Sequence, residues 1–225
     1  MFFNEDIEAT LDKRVLEYSD FLYLQDDLNK VINPNWESEL TPDHFATQVV
    51  DELAELLGSG VEYKWWKHID PDKFDEHNFK IEIIDVLFFT LSKMMVESPL
   101  FRSELYPDET NRLIHSDNKI NYVNFIELLQ IILNSDAYCT EDLVDYIINA
   151  ADMNLEEASA YYVTKFVLNN FRQHSGYKDG TYVKVDDGVE DNERLRGLIQ
   201  DFLNDSDASL LELANKTVER FYRTS

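Results

Sequence analysis

The chain has 225 residues, with 20 Lys and Arg against 45 Asp and Glu, a formal charge of −25 and a pI of about 4.3. Apolar residues make up 44% of it and aromatic residues 13%, enough to bury a core, which excludes general disorder despite the charge. So strong a polyanion is repelled by nucleic acid backbones and anionic membranes, so neither is expected as a partner, and an anionic small substrate needs metal cations as a bridge.

With only 6 Gly and 5 Pro, turns are few and the elements read as long helices. Ile7, Leu11, Val15, Tyr18, Leu22, Gln25 and Leu28 recur at spacings of three and four, which predicts one helical face over 5–31. Asn33-Pro34-Asn35 ends it. A second helix is predicted from Thr41, with Pro42 at its first position, to Gly58. A third opens at Asp70-Pro71 and runs to about Glu97, where Ser98-Pro99 breaks it. Two more are expected over 119–134 and 140–151. Asn154, with Glu157 three residues on, has the spacing of a cap for a long helix that ends near Gly176. Residues 176–189 hold three glycines and no helical period, and Tyr182, Val183 and Val185 hint at a short extended stretch. Helices over 190–204 and 207–222 complete a pattern with no internal repeat: an all-α helical bundle, read as a single domain over 1–225.

The one cysteine, Cys139, cannot build a disulfide framework or a thiolate zinc site. The N-terminus lacks a basic stretch followed by an apolar one, and no apolar run reaches the ~18 residues that span a bilayer. A soluble, cytoplasmic protein is expected.

Most of the acidic residues read as solvated helix surface. Two pairs differ. In Ile81-Glu82-Ile83-Ile84-Asp85-Val86-Leu87-Phe88-Phe89, two carboxylates three residues apart share a helical face on a helix that is apolar all round, and such a helix is buried. Ionised carboxylates there cost several kcal/mol each unless paired or bound to metal. Val49-Val50-Asp51-Glu52-Leu53-Ala54-Glu55-Leu56 supplies a matching pair. Facing one another across two packed helices, Glu52, Glu55, Glu82 and Asp85 would repel, and a hard cation such as Mg²⁺ would resolve the conflict. The competing reading is an ion pair with Lys or Arg from another helix.

Between the pairs lies Tyr63-Lys64-Trp65-Trp66-Lys67-His68, either a stacking surface with phosphate contacts or an apolar plug with snorkelling lysines. Further on, Lys165, Asn169 and Arg172 share one helical face, and Lys178 and Lys184 follow in a segment with Gly176 and Gly180. Cations beside permissive backbone suit a phosphate chain. They also suit simple local charge balance.

These residues stand in an order that resembles a known family: Glu52-x-x-Glu55, Tyr63-Lys-Trp-Trp-Lys67, Glu82-Ile-Ile-Asp85, Lys165-x-x-Leu-Asn169-x-Phe-Arg172-Gln, Gly176-Tyr177-Lys178-x-Gly-x-Tyr-x-Lys184 and Glu190-Asp-Asn192. The pattern is similar to the dimeric, all-α dUTP diphosphatases of trypanosomatids, some bacteria and phages. Those belong to the all-α nucleoside triphosphate pyrophosphatase superfamily, with the MazG proteins and phage dCTP/dUTP pyrophosphatases. Leu24-Gln25-x-x-Leu28-Asn29, with Trp36 after it, resembles the family's early Gln/Asn motif, and the likeness spans about 20–200. It implies Mg²⁺ on Glu52, Glu55, Glu82 and Asp85. It places Gln25 and Asn29 near the pyrimidine, Asn169 on the nucleoside, and Trp66 and Lys67 along the pocket. Lys165, Arg172, Tyr177, Lys178, Lys184 and Asn192 would close over the phosphates. It also implies a homodimer. Three positions depart from the family's pattern: Phe88-Phe89 stands where His-Phe is usual, Phe166 replaces an Asn after Lys165, and Val185 a Trp after Lys184.

The expected reaction is Mg²⁺-dependent hydrolysis of dUTP to dUMP and pyrophosphate, with Glu52 or Glu55 as the base for the attacking water. A dCTP/dUTP or broader MazG-like activity is the near alternative. A non-enzymatic acidic helical protein, acting through its surface, is the distant one.

Overall fold

The structure, a computed structural model, describes residues 3–58, 74–97, 122–134 and 140–222. The fold is all-α. The chain forms two compact units, residues 1–36 with 155–225 and residues 37–154. Among the described residues no helix is long and apolar enough to cross a membrane.

The first unit contains α1 (Glu5–Leu11), α2 (Tyr18–Ile32), α8 (Leu155–His174), a strand pair β1 (Val185–Asp186) and β2 (Val189–Glu190), a 3₁₀ turn over Glu193–Leu195, α9 (Arg196–Asn204) and α10 (Leu210–Tyr222). Helix α8 is its axis: α2, α9 and α10 all pack on it, and all but a few of its residues are buried.

The predicted helix over 5–31 is two helices. Residues 12–17 leave the helical path because their backbone groups find partners elsewhere. Leu210 N donates to the Lys13 carbonyl at 2.7 Å, and Leu16 N donates to Ser159 Oγ at 3.0 Å. Glu17 and Asp20 form a capping box that starts α2 afresh. The buried residue after Leu11 is Leu16, while Val15 is half-buried, so the apolar face slips by one position across the break. Arg14 locks this corner. Its guanidinium reaches Glu156 at 2.7 Å and donates to the carbonyls of Phe202, Asp205 and Ala208 at 3.3, 2.6 and 3.1 Å, satisfying acceptors at and beyond the C-terminal end of α9.

Helix α8 ends where Gly176 takes φ +88° and Tyr177 N donates to the Arg172 carbonyl at 3.0 Å, a Schellman-type bond. The φ of Gly176 is one that side-chain-bearing residues rarely adopt, and a Cβ there would also meet the Thr181 hydroxyl, so the position favours glycine. The extended stretch expected near 182–185 is a two-residue hairpin instead: Val185 pairs with Glu190 and Asp186 with Val189. Asp187 and Gly188 turn it with φ of 52° and 78°, the Asp-Gly signature of a type I′ turn.

The second unit contains α4 (Pro42–Gly58), α5 (Glu76–Glu97), α6 (Tyr122–Asn134) and α7 (Thr140–Asn149), with the short α3 (Trp36–Glu39) at the junction of the two segments. Helices α4 and α5 make its most extensive contact. Helix α4 has the predicted bounds and buries a single stripe: Phe45, Val49, Leu53 and Leu56. Helix α5 begins at Glu76, later than the predicted Asp70, because Asp75 accepts from Asn78 N at 3.1 Å and so caps a new start. As its composition predicts, α5 is buried on nearly every side. Its lysines are held by residues four away, Lys80 by Glu76 at 2.6 Å and Lys93 by Glu97 at 2.7 Å.

Candidate active site

The stripe that packs α4 on α5 decides which carboxylates meet. Burial of Val49, Leu53 and Leu56 turns Glu52 to the flank of the contact, where it is half-buried, and Glu55 to the exposed side. On α5, Glu82 is 9% exposed and Asp85 half-buried. One oxygen from each of Glu52, Glu82 and Asp85 lies within 4.8 Å of the others. Three of the four predicted carboxylates therefore converge, and Glu55 is not among them.

Three like charges so close raise one another's energy. The donor set, oxygen only and trianionic, is the chemistry of a hard divalent cation. Two ligands of one Mg²⁺ lie at most about 4.2 Å apart, twice the bond length of ~2.1 Å, so small side-chain rotations bring this set to one ion. The residues fit the group.

In the first unit two polar clusters lie on the axis helix. In the first, Gln25 (2% exposed) and Asn29 (7%) are neighbours one turn apart on α2. Gln25 Nε2 donates to Asn29 Oδ1 at 2.9 Å. From α8, the Tyr162 hydroxyl donates to Gln25 Oε1 at 3.0 Å and the Phe21 carbonyl at 3.1 Å. Burial drives the Tyr162 pKa well up, so it stays a protonated donor and orients the amide pair.

The second cluster gathers Lys165, Asn169 and Arg172 on α8 with Asn192 after β2. Asn192 immediately precedes the 3₁₀ turn but does not cap it with its side chain. Its Oδ1 instead accepts from Lys165 Nζ at 3.1 Å and Arg172 Nη2 at 3.2 Å. Arg172 Nη1 donates to Asn169 Oδ1 at 3.1 Å. Arg172 also makes a two-pronged pair with Asp191, Nε at 2.9 Å and Nη2 at 2.7 Å. Tyr182 donates its hydroxyl to the same carboxylate at 2.7 Å. Burial pushes the Asp191 carboxyl up, but the hydrogen bonds and charge of Arg172, then Tyr182 and Lys165, outweigh it and hold it below the usual range. The Tyr182 hydroxyl is pushed up by burial and by Asp191.

Tyr177 is exposed, and the Arg172 and Lys184 charges each lie 5.9 Å from the centre of its ring, within cation–π range. Lys178 reaches back to the Ile32 carbonyl at the end of α2, at 3.2 Å. Trp66 and Lys67, with the rest of the Tyr63–His68 motif, and Cys139 lie outside the described residues.

Sequence reasoning missed Asp191 as a site residue and Tyr182 as its partner. A signal was present. Four cations near one stretch need a local counter-charge if any is buried, and Asp191 sits beside Asn192, which the motif did single out.

The family profile described as dUTPase matches residues 17–177, more than half of the chain. The match ends at Tyr177, so Lys178, Lys184, Asp191 and Asn192 lie beyond it. No curated protein matches the chain in sequence.

Proposed function

The chain belongs to the all-α dUTPase family, whose members hydrolyse dUTP with divalent metal ions, and from that premise we propose that it is Mg²⁺-dependent and converts dUTP to dUMP and pyrophosphate. The observation that carries this reading is the meeting of Glu52, Glu82 and Asp85 within 4.8 Å on helices otherwise packed with apolar residues. Bound there, Mg²⁺ supplies Lewis acidity and offsets the phosphate charge that a protein of −25 repels.

The chain's own residues do the rest. Glu52 or Glu55, both on α4, accepts the proton of the attacking water. The water's oxygen bonds to phosphorus in line, the α–β bridge breaks, and pyrophosphate leaves with the bridging oxygen. Lys165, Arg172, Lys178 and Lys184 offset the charge on the phosphate chain as it breaks, and Tyr177 and Asn192 close over the phosphates with them. Gln25, Asn29 and Asn169 bind the deoxyuridine. Residues 1–225 act as one catalytic domain, as a cytoplasmic homodimer without nucleic acid or membrane partners.

A second reading, dCTP hydrolysed alongside dUTP, is favoured by Phe88, which is 3% exposed where the resembled family usually has a histidine. An apolar side chain there removes a polar group that could discriminate between bases. Pyrophosphate release from dUTP, dCTP, dTTP, dATP and dGTP, each with and without Mg²⁺, tests both readings. The proposal expects dUTP to dominate and no release in chelator. Equal rates on purine and pyrimidine substrates would overturn it.

A further inference from the structure

Asp191 has no part in the reaction as set out above, yet it is 3% exposed and both of its oxygens are engaged. Oδ1 accepts from Arg172 Nη2 at 2.7 Å and from Asn192 N at 2.8 Å. Oδ2 accepts from Arg172 Nε at 2.9 Å and from the Tyr182 hydroxyl at 2.7 Å.

We propose that Asp191 is a positioning residue for the pyrophosphate half of the substrate: it fixes the Arg172 guanidinium and, through Tyr182, ties the 176–192 segment to α8. The inference rests on the reading of Arg172 as a phosphate-binding group. A carboxylate gripping Nε and Nη2 together holds the planar guanidinium in one orientation. That orientation turns Nη1 toward Asn169, which the proposed function places on the nucleoside, and leaves Nη2 shared with Asn192.

Charge arithmetic supports the assignment. Lys165 and Arg172 are 1% and 7% exposed, so two cations would face one another in a poorly solvated place without a counter-ion. The Asp191 carboxylate supplies a counter-charge beside both. Stability alone is a weak reason for such a pair, because apolar residues of the same volume serve a core as well or better.

Four proteins test this: wild type, Asp191→Asn, Tyr182→Phe and Arg172→Ala. The readouts are inhibition of dUTP hydrolysis by pyrophosphate, inhibition by dUMP, and Tm. Asp191→Asn is expected to weaken pyrophosphate inhibition by about tenfold, the worth of one charge-assisted hydrogen bond, with dUMP inhibition unchanged. Tyr182→Phe keeps the carboxylate and is expected to move the same constant in the same direction by less. A purely structural Asp191 would lower Tm and weaken both inhibitors alike, and that result overturns the proposal. So does an unchanged pyrophosphate constant in Asp191→Asn when Arg172→Ala weakens it. If Arg172→Ala itself leaves pyrophosphate inhibition intact, the phosphate reading of Arg172 falls first.

Discussion

On α4 and α5 three carboxylates meet; on α8 and the segment after it, a lysine, an arginine and an aspartate meet. The first group is like-charged, an all-oxygen set that suits a hard divalent cation. The second carries its own counter-charge and is satisfied as it stands. The difference separates two kinds of functional residue. Neutralising a member of the acidic group should cost activity more than stability, because it removes a candidate metal-holding oxygen while an isosteric amide keeps the side chain's volume. Breaking the mixed group should cost both, because it takes the ionic partner from a buried charge.

The largest expected effect is that of Glu82→Gln. Losing one of the three metal-holding carboxylates should lower pyrophosphate release by about 10³-fold or more, the several kcal/mol that metal charge stabilisation supplies, with Tm little changed. A fall in Tm together with full activity would break the comparison. Next is Arg172→Ala, which removes the two-pronged partner of the buried Asp191 and leaves it the weaker Tyr182 and Asn192 hydrogen bonds, and should cost about 3 kcal/mol in urea unfolding.

The penalty of Arg172→Ala should depend on pH. The Asp191 carboxyl is held below its ordinary value of 3.8 in the folded protein. Its contribution is therefore complete above that value and fades as pH falls through the lower folded one. The stability gap between wild type and Arg172→Ala should be full at neutral pH and narrow in acid, as protonation of Asp191 first relieves its lost pairing in the variant and then weakens that pairing in wild type. A gap that widened in acid would contradict the assignment.

Smaller effects fall outside both charged groups. Arg14→Ala removes one ion pair and three carbonyl contacts and should cost about 2 kcal/mol, read in the same unfolding assay. Tyr162→Phe removes one buried hydroxyl and should cost about 1 kcal/mol, with a rise in KM for dUTP if Gln25 loses its orientation.

How much of this was legible in the sequence follows from where each interaction is encoded. The bounds of α4 could be read because Pro42 and Gly58 act locally. The burial of α5 could be read because its apolar residues cover every side. The acidic group followed from both, except for Glu55, whose place depends on which stripe of α4 packs against α5, a tertiary choice that spacing alone leaves open. The break at 12–17 was hidden because its partners, Ser159 and Leu210, are more than 140 residues away. The hairpin could have been found from Asp187-Gly188, a local signal outweighed by the missing helical period. Asp191 was hidden for a different reason: one acidic residue among 45 stands out only when its neighbour is known to be a buried arginine.

The most direct test of the central claim is pyrophosphate release from dUTP by wild type and Glu82→Gln, each in excess chelator and then with Mg²⁺ restored. Wild type should be silent in chelator and recover with Mg²⁺, while Glu82→Gln, still folded by circular dichroism, should stay silent in both. Hydrolysis of dUTP at the full rate in chelator, or by Glu82→Gln, would contradict the account.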